Sequence, residues 1–571
     1  MVINTMRRAG AILWLALAAI QSVSSLSIQP DLARLHAEAL RNTFPRPEGS
    51  QGEREALEYI QSVLDASGAD YSVRDFADLT DGHSFSRVVD IQIPGESDEL
   101  VLLLVPLNHP DDVDPDNDRS ASLAAALALV DAAARETQPI SYRVVLLGAE
   151  YGETAAYPLG TRLFLGSFFP DQDVAALYLD VSEPGVIIET GGGGEVAPPW
   201  IVTAARSAAQ ESALAPSVRS SLNQLHRLGF SDPPRALVNL LTQGIPAVYL
   251  RSEPFTFAPA PVSESAARLS RFLAAMSTEL EAGIPSEWDR HYLYFTIGRS
   301  QFVVTEVAYL LVLLGVLVVT LLYALIARQQ LGRYLRTIAR NFWNLPVLFI
   351  LIFGFLTAGT LLLELFLFVR RFPTLWQHYP LAYVSLKVIL SVLLFSLAAQ
   401  LIRHLPLSKN GSFYSASALF VLFLDIILFS VINLSISYYF VWAFGFAFLF
   451  SVVRQRTLKL LTLLIAPLLL LRAAIAILAI PELRVSELLL LSPLGNLVLS
   501  FITLPFLLML IRMDFLIRHP VRGRRGFALR LVTIGTGALA VGLLTFVLVS
   551  SPYDPADPQP ILARETVDYE S

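Results

Sequence analysis

The chain has 571 residues, no cysteine, 54% hydrophobic and 16% charged residues, a mean hydropathy of +0.55 and a formal net charge of −7. Without cysteine there are no disulfides, no thiolate zinc sites and no Cys nucleophile, so any metal must be held by Asp, Glu or His. The acidic balance excludes a basic nucleic-acid face, and the uneven apolar excess, confined to residues 300–550, joins a soluble domain to a membrane domain.

Residues 1–29 place Arg7 and Arg8 ahead of the apolar stretch AGAILWLALAAIQSVSSL. The stretch has the flanks of a signal peptide but no A-x-A cleavage site, so a cleaved leader and a retained N-terminal transmembrane anchor both fit. Either way, the arginines keep the N-terminus cytoplasmic. Residues 30–295 are then exported to a periplasmic, extracellular or lumenal space.

Residues 30–65 read as a helix, a turn and a second helix, with Pro45, Pro47 and Gly49 breaking the helical pattern in FPRPEGSQGERE. DYSVRDF and RVVDIQIPG alternate in polarity as half-buried strands do, whereas ELVLLLV is continuously apolar, as a central strand is. A helix over Ala121–Ala134, strands over Tyr142–Leu147 and Ala175–Asp180, helices near 201–212 and 234–242, a short strand at 247–250 and a helix over 263–282 complete the domain. This rhythm predicts an α/β fold, with a mostly parallel central sheet and helices on both faces.

Carboxylates gather around it. Asp111, Asp112, Asp114, Asp116 and Asp118 form an acidic run that lacks the Gly and distal Glu of a calcium loop, so a solvated loop is the simpler reading. Glu150 and Glu153 follow one strand and Asp180 ends another, and the C-terminal ends of neighbouring strands are where open α/β sheets build sites. TGGGGE at 190–195 has no phosphate-loop Lys and reads as a flexible loop near the site mouth.

Beyond residue 300 come eight apolar runs, near 302–327, 345–369, 381–402, 413–433, 435–453, 459–480, 488–511 and 527–550, each close to the ~20 residues a helix needs to cross a bilayer. Together they predict an all-α polytopic transmembrane bundle over 300–551, followed by an exported polar tail at 552–571. Arg and Lys cluster after the first, third, fifth and seventh runs, which puts those loops in the cytoplasm. Asp425 and Arg472 lie inside runs. Such groups mark a function or pair with one another, and here both readings stand.

The soluble part resembles the M28 family of zinc-dependent exopeptidases, the aminopeptidase fold, over about 40–285. FPRPEGSQGERE resembles that family's R-P-x-G-S turn, and DRSASLAAALALVDA its D-[DN]-A-S-G segment. VVLLGAEYGE is similar to the strand and loop carrying its paired Glu, ALYLD to the strand ending in a metal-binding Asp, and SDPPRALVNLLTQGIPAVYL to its late segment. The resemblance implies two zinc ions and a Glu that takes a proton from metal-bound water.

Residue by residue, it places Asp118 on the bridging Asp, Asp180 on the second Asp and Glu150 on the general base. Tyr151 stands where a ligand Glu belongs, and RSEPFTFAPAPVSES lacks the late His. The first His-x-Asp falls on Pro106 and Asn108 in the direct register, or on His109 and Asp111 in a slipped one. Glu153 is then a stand-in for the missing Glu. The layout is similar to that of Gaa1, a GPI-transamidase subunit with a degenerate M28-like domain, and to M28-type membrane metallopeptidases of the endoplasmic reticulum.

Three functions follow as expectations. The first is a degenerate domain that binds a peptide, a lipid-linked protein or other membrane subunits. The second is an active zinc-dependent aminopeptidase or carboxypeptidase with a rearranged site. The third is a transporter-like or lipid-handling bundle with an accessory domain.

Overall fold

A computed structural model describes residues 26–77, 85–110, 118–151, 157–169, 172–182, 185–192, 194–218, 226, 234–252, 260–286, 288–289, 292–297, 300–326, 328–369, 375–401, 408, 410–432, 434–478, 490–518 and 525–550. Residues 1–25 of the expected leader or anchor and the C-terminal tail lie outside these residues, as do Asp111 and Glu153. The chain divides into two compact units, Met1–Val312 and Leu313–Ser571.

In the first unit, α1 (Pro30–Arg41) and α2 (Gln51–Ser67) precede β1 (Asp70–Ala77), β2 (Phe85–Ile93) and β3 (Leu100–Pro106). Next come α3 (Ser120–Ala133), β4 (Ser141–Leu147), α4 (Leu159–Gly166), β5 (Val174–Asp180) and β6 (Gly185–Glu189). The unit continues with β7 (Gly191–Gly192), β8 (Glu195–Val196), α5 (Pro199–Glu211), β9 (Ala215–Val218), α6 (Arg235–Thr242), β10 (Ala247–Ser252), α7 (Val262–Leu280) and the hairpin β11 (Leu293–Ile297) and β12 (Ser300–Val304).

Eight strands form one sheet in the order β1-β2-β4-β3-β5-β10-β6-β9. The central run β4-β3-β5-β10 is parallel, and antiparallel pairs lie on either side of it. Every residue of β3 and β5 is buried, as expected of strands covered on both faces. The helices α1, α3 and α7 pack on one another, while α4 and α6 pack together.

Local chemistry sets the element ends. Ser50 Oγ accepts the Glu53 amide at 3.1 Å and Glu53 Oε2 accepts the Gly49 amide at 2.6 Å, so α2 starts on a reciprocal cap. It stops at Gly68, whose φ of 71° suits a residue without a Cβ. The expected flexible loop TGGGGE instead contains the small hairpin β7–β8, because Gly191 and Gly192 pair with Val196 and Glu195.

The second unit is helical and includes most of α8 (Glu306–Ile326). The helices that follow are α9 (Arg328–Arg340), α10 (Asn344–Val369), α11 (Leu375–His378), α12 (Pro380–Leu401), α13 (Gly411–Ile432), α14 (Ser437–Val452), α15 (Arg456–Ile465), α16 (Leu468–Leu478), α17 (Pro493–Arg518) and α18 (Arg525–Ser550). Five stretches among the described residues are long and apolar enough to cross a membrane: Asn344–Val369, Pro380–Ala398, Gly411–Ile432, Arg456–Ile475 and Pro493–Met513. Shorter apolar helices at Glu306–Val319, Ser437–Val452 and Thr533–Thr545 fall on the other three expected runs. Two runs are less regular than expected. The first begins as β12, and the sixth breaks between α15 and α16 at Pro467, which has no N–H to continue the helical ladder.

Asp425 is 0% exposed, and neither of its oxygens has a hydrogen-bond partner among the described residues. It makes no ion pair with Arg472, which is exposed, so the expected pairing of the two is not formed.

Candidate functional site

The parallel strands deliver their C-terminal ends to one place. His109 follows β3, Glu150 follows β4, Asp180 closes β5, and Asp118 precedes α3. All four are buried. Ala149, with φ 51°, turns the chain sharply out of β4 just before Glu150.

Asp118 sits in a fully buried polar cluster. Its Oδ1 accepts the Ser120 amide at 3.0 Å, the Ser120 hydroxyl at 2.7 Å and Arg46 Nη2 at 3.3 Å. His109 Nε2 lies 3.4 Å from the same oxygen, so of the two registers it is His109, not Pro106, that stands beside Asp118. Arg46 is 0% exposed and also donates to the Leu40 carbonyl at 2.9 Å, the Leu107 carbonyl at 3.3 Å and Ser120 Oγ at 2.9 Å. Burial alone would push the Asp118 carboxyl up. His109, Arg46 and Ser120 outweigh that and hold it below the usual carboxylate range. Burial, helped by the nearby Arg46 and Arg119 charges, lowers His109 and keeps its ring neutral.

Glu150 has a different environment. Its Oε1 accepts the Thr161 amide at 2.6 Å, and its Oε2 accepts the Thr161 hydroxyl at 2.7 Å and the Tyr178 hydroxyl at 2.6 Å. Its own amide donates to Asn108 Oδ1 at 3.2 Å. Burial pushes its carboxyl up to about 7 against the pull of Tyr178 and Thr161. Both oxygens are therefore committed to α4 and β5.

Asp180 is paired with a cation from its own domain. Arg119 Nη1 lies 2.8 Å from its Oδ1 and donates to its Oδ2 at 3.1 Å, and the Tyr249 hydroxyl donates to Oδ2 at 2.6 Å. The Arg119 guanidinium lies over the Tyr151 ring, 4.7 Å from its centroid, within cation–π range. Burial opposes the Arg119 charge, but Asp180 more than offsets it and holds its pKa above the usual arginine value. Burial raises Tyr151 and Tyr249, so both phenols stay neutral. Tyr249 also stacks on Tyr178, with centroids 4.5 Å apart, which links the Asp180 and Glu150 clusters.

These residues do not fit a zinc centre. Among the described residues no three His, Cys, Asp or Glu side chains converge. Asp118 and Asp180 already have guanidinium partners, and a divalent ion at either would add charge to an arrangement that is already neutralised. The His109 ring nitrogens and Asp118 Oδ2 make no hydrogen bond. Among the described residues they supply one imidazole and one carboxylate oxygen, short of the three protein ligands a catalytic zinc takes. The sequence placed Glu150 and Asp180 at strand ends and Asp118 ahead of a helix, but assigned no roles to Arg46, Arg119, Thr161, Tyr178 and Tyr249. Arg119 had a visible signal, since it occupies the second position of DRSAS, where the resembling pattern has Asp or Asn.

The first-domain model of the TP_0564 family matches residues 127–304, and its second-domain model matches residues 342–549. An uncharacterized protein of Treponema pallidum (strain Nichols) is 26% identical over 326 residues, which are 54% of this chain. The match spans 45% of that relative's length. Among solved structures, a leucine aminopeptidase precursor from Bacteroides thetaiotaomicron is similar at 15% identity and TM-score 0.36, covering 44% of this chain and 98% of that one. A glutaminyl cyclase from Porphyromonas gingivalis is similar at 13% identity and TM-score 0.34, covering 45% and 99%. A Zn-dependent exopeptidase from Parabacteroides distasonis is similar at 14% identity and TM-score 0.32, covering 44% and 98%.

Proposed function

We propose, from the premise that this chain belongs to the TP_0564 family in both of its domains, that it is a multi-pass membrane protein whose peptidase-like α/β domain binds rather than hydrolyses. What it would bind is a peptide, a lipid-linked protein or another membrane subunit. The domain would face the extracytoplasmic side, in keeping with the Arg and Lys clusters between the apolar runs. The layout is then closer to the degenerate Gaa1 arrangement than to the zinc-retaining membrane peptidases.

The observation that carries this reading is the commitment of Glu150. A general base must hold a lone pair within reach of the proton it takes. Glu150 has three donors at 2.6–2.7 Å on its two oxygens, from Thr161 and Tyr178. These bonds take three of its four acceptor sites, leave one on Oε1, and tie β4, α4 and β5 together in a buried cluster, so we read it as a structural carboxyl.

A second reading, an active zinc peptidase with a rearranged site, draws support from the unpartnered nitrogens of His109 beside Asp118. One assay separates the two. The full chain in lipid nanodiscs, supplied with zinc, is tested on aminoacyl and N-terminal glutaminyl reporters alongside Asp118→Ala and Asp180→Ala. We expect turnover indistinguishable from both variants. Turnover that either substitution abolishes would establish the active enzyme instead.

A further inference from the structure

The resemblance puts a metal ligand at residue 151 and Asp or Asn at residue 119, and this chain has Tyr and Arg there. The two departures are 32 positions apart in sequence, yet the Arg119 guanidinium lies 4.7 Å from the Tyr151 ring centroid. The same Arg119 contacts Asp180 at 2.8 Å, so the Tyr151 ring packs on the cation that pairs with that carboxylate.

We infer that Arg119 and Tyr151 act as one unit that replaces a metal ion and its carboxylate ligand at Asp180, so that the cleft keeps its charge without a metal. This deepens the binding reading above and rests on it.

Charge is what is replaced. A metal at Asp180 would supply positive charge to its carboxylate, and the Arg119 guanidinium, 2.8 Å from Asp180 Oδ1 and held over the neutral Tyr151 ring, supplies positive charge at the same carboxylate. Each change needs the other. Arg119 beside a glutamate at 151 would be drawn into a second ion pair and away from Asp180. Tyr151 without Arg119 would leave Asp180, which is only 6% exposed, with a hydroxyl in place of a cation.

The surroundings support a built-in cation over a chance contact. The Arg119 side chain is only 24% exposed. Its position is fixed from the other side by α3, which begins at the next residue, where Ser120 caps back onto Asp118. Ser122, in the first turn of α3, accepts the Val181 amide at 2.9 Å and donates to the Val181 carbonyl at 3.1 Å. That two-way bond pins the start of α3 to the end of β5, which holds Arg119 and Asp180 in register. Tyr249 from β10 supplies the second donor to Asp180. The countercharge is therefore set by three elements, as a metal centre's would be.

The test uses the full chain in nanodiscs and reads its thermal midpoint and its bound zinc. The wild-type midpoint should not move on chelation or on addition of zinc, and zinc should be far below one per chain. Arg119→Gln and Tyr151→Leu should each lower the midpoint, and the double variant should lose clearly less than the sum of the two, because both remove the same unit. Arg119→Asn combined with Tyr151→Glu should acquire a zinc-dependent rise in midpoint that neither single change produces.

Stoichiometric zinc in the wild type, a fall on chelation, or additive losses in the Gln/Leu cycle would overturn the inference. The Gln/Leu cycle and the wild-type measurements decide it even if the Asn/Glu variant does not fold. The outcomes also separate from the parent reading. Bound zinc without turnover sinks the replacement and leaves the binding function, whereas turnover without metal does the reverse.

Discussion

Arg46 is the most consequential residue outside the expected site. It is completely buried and pairs with Asp118 at 3.3 Å. Removing one member of a buried pair leaves the other charged and unpaired, at a cost of about 3–5 kcal/mol. Arg46→Met should therefore lower the thermal midpoint far more than Arg135→Met, whose ion pair with Asp131 is exposed. Equal shifts would show that the Asp118 cluster is not stabilised in this way.

Glu150 makes a separate prediction in pH. Its folded value is raised from 4.5 to about 7, so the fold favours the neutral carboxyl. Its contribution is fully present below the ordinary carboxylate range, is lost as pH rises from there to about 7, and changes little beyond. A shift of this size corresponds to a loss on the order of 3 kcal/mol. Glu150→Gln should flatten that part of the stability profile, and an unchanged slope would locate the titration elsewhere.

At this scale the sequence revealed the acids but not their partners. Glu150 and Asp180 sit at strand ends and Asp118 just before a helix, which hydrophobic pattern locates. Arg46 reaches its partner through tertiary packing, which no local pattern encodes, whereas Arg119 is marked by its place in DRSAS though its partner is not.

Among elements, α4 depends on a close approach. A Cβ at Gly160 would collide with the Gly148 carbonyl oxygen and come within 2.9 Å of Glu150 Oε1. Gly160→Ala should cost about 1–3 kcal/mol through overpacking, read as a lower thermal midpoint. In the helical unit, a Cβ at Gly359 would strike Ser391 Oγ, so α10 and α12 approach through a small residue, as membrane helices commonly do. Gly359→Leu should lower the midpoint in nanodiscs, and Gly354→Leu, which meets open space, should not.

The elements were largely legible: the central strands, α3 and α7 fall within a residue or two of their expected bounds. The helix α4 was missed because eight residues between loops show little more than two turns of periodicity. The strand β6 and the edge strand β9 were missed because they pair only with distant chain segments.

Across the whole molecule, the division into an α/β unit and a helical unit followed from hydropathy alone. The orientation we propose rests on where Arg and Lys fall. The absence of cysteine allows a direct test in the natural background. A thiol at exposed Ser62 and one at exposed Gln455 should react with an impermeant maleimide from opposite sides of sealed vesicles. Reaction of both from one side would refute the topology. The metal question was partly legible, since Tyr151 and the missing late His break the ligand set in the sequence, and the fold adds that Arg46 and Arg119 pair with Asp118 and Asp180.

The central claim is that Asp180 is neutralised by Arg119 and not by a metal. It is tested most directly by a zinc-edge anomalous difference map from crystals of the full chain grown with zinc. We predict no peak between Asp118 and Asp180, with the Arg119 guanidinium on the Asp180 carboxylate. A peak bridging the two carboxylates, with Arg119 displaced from Asp180, would contradict the account.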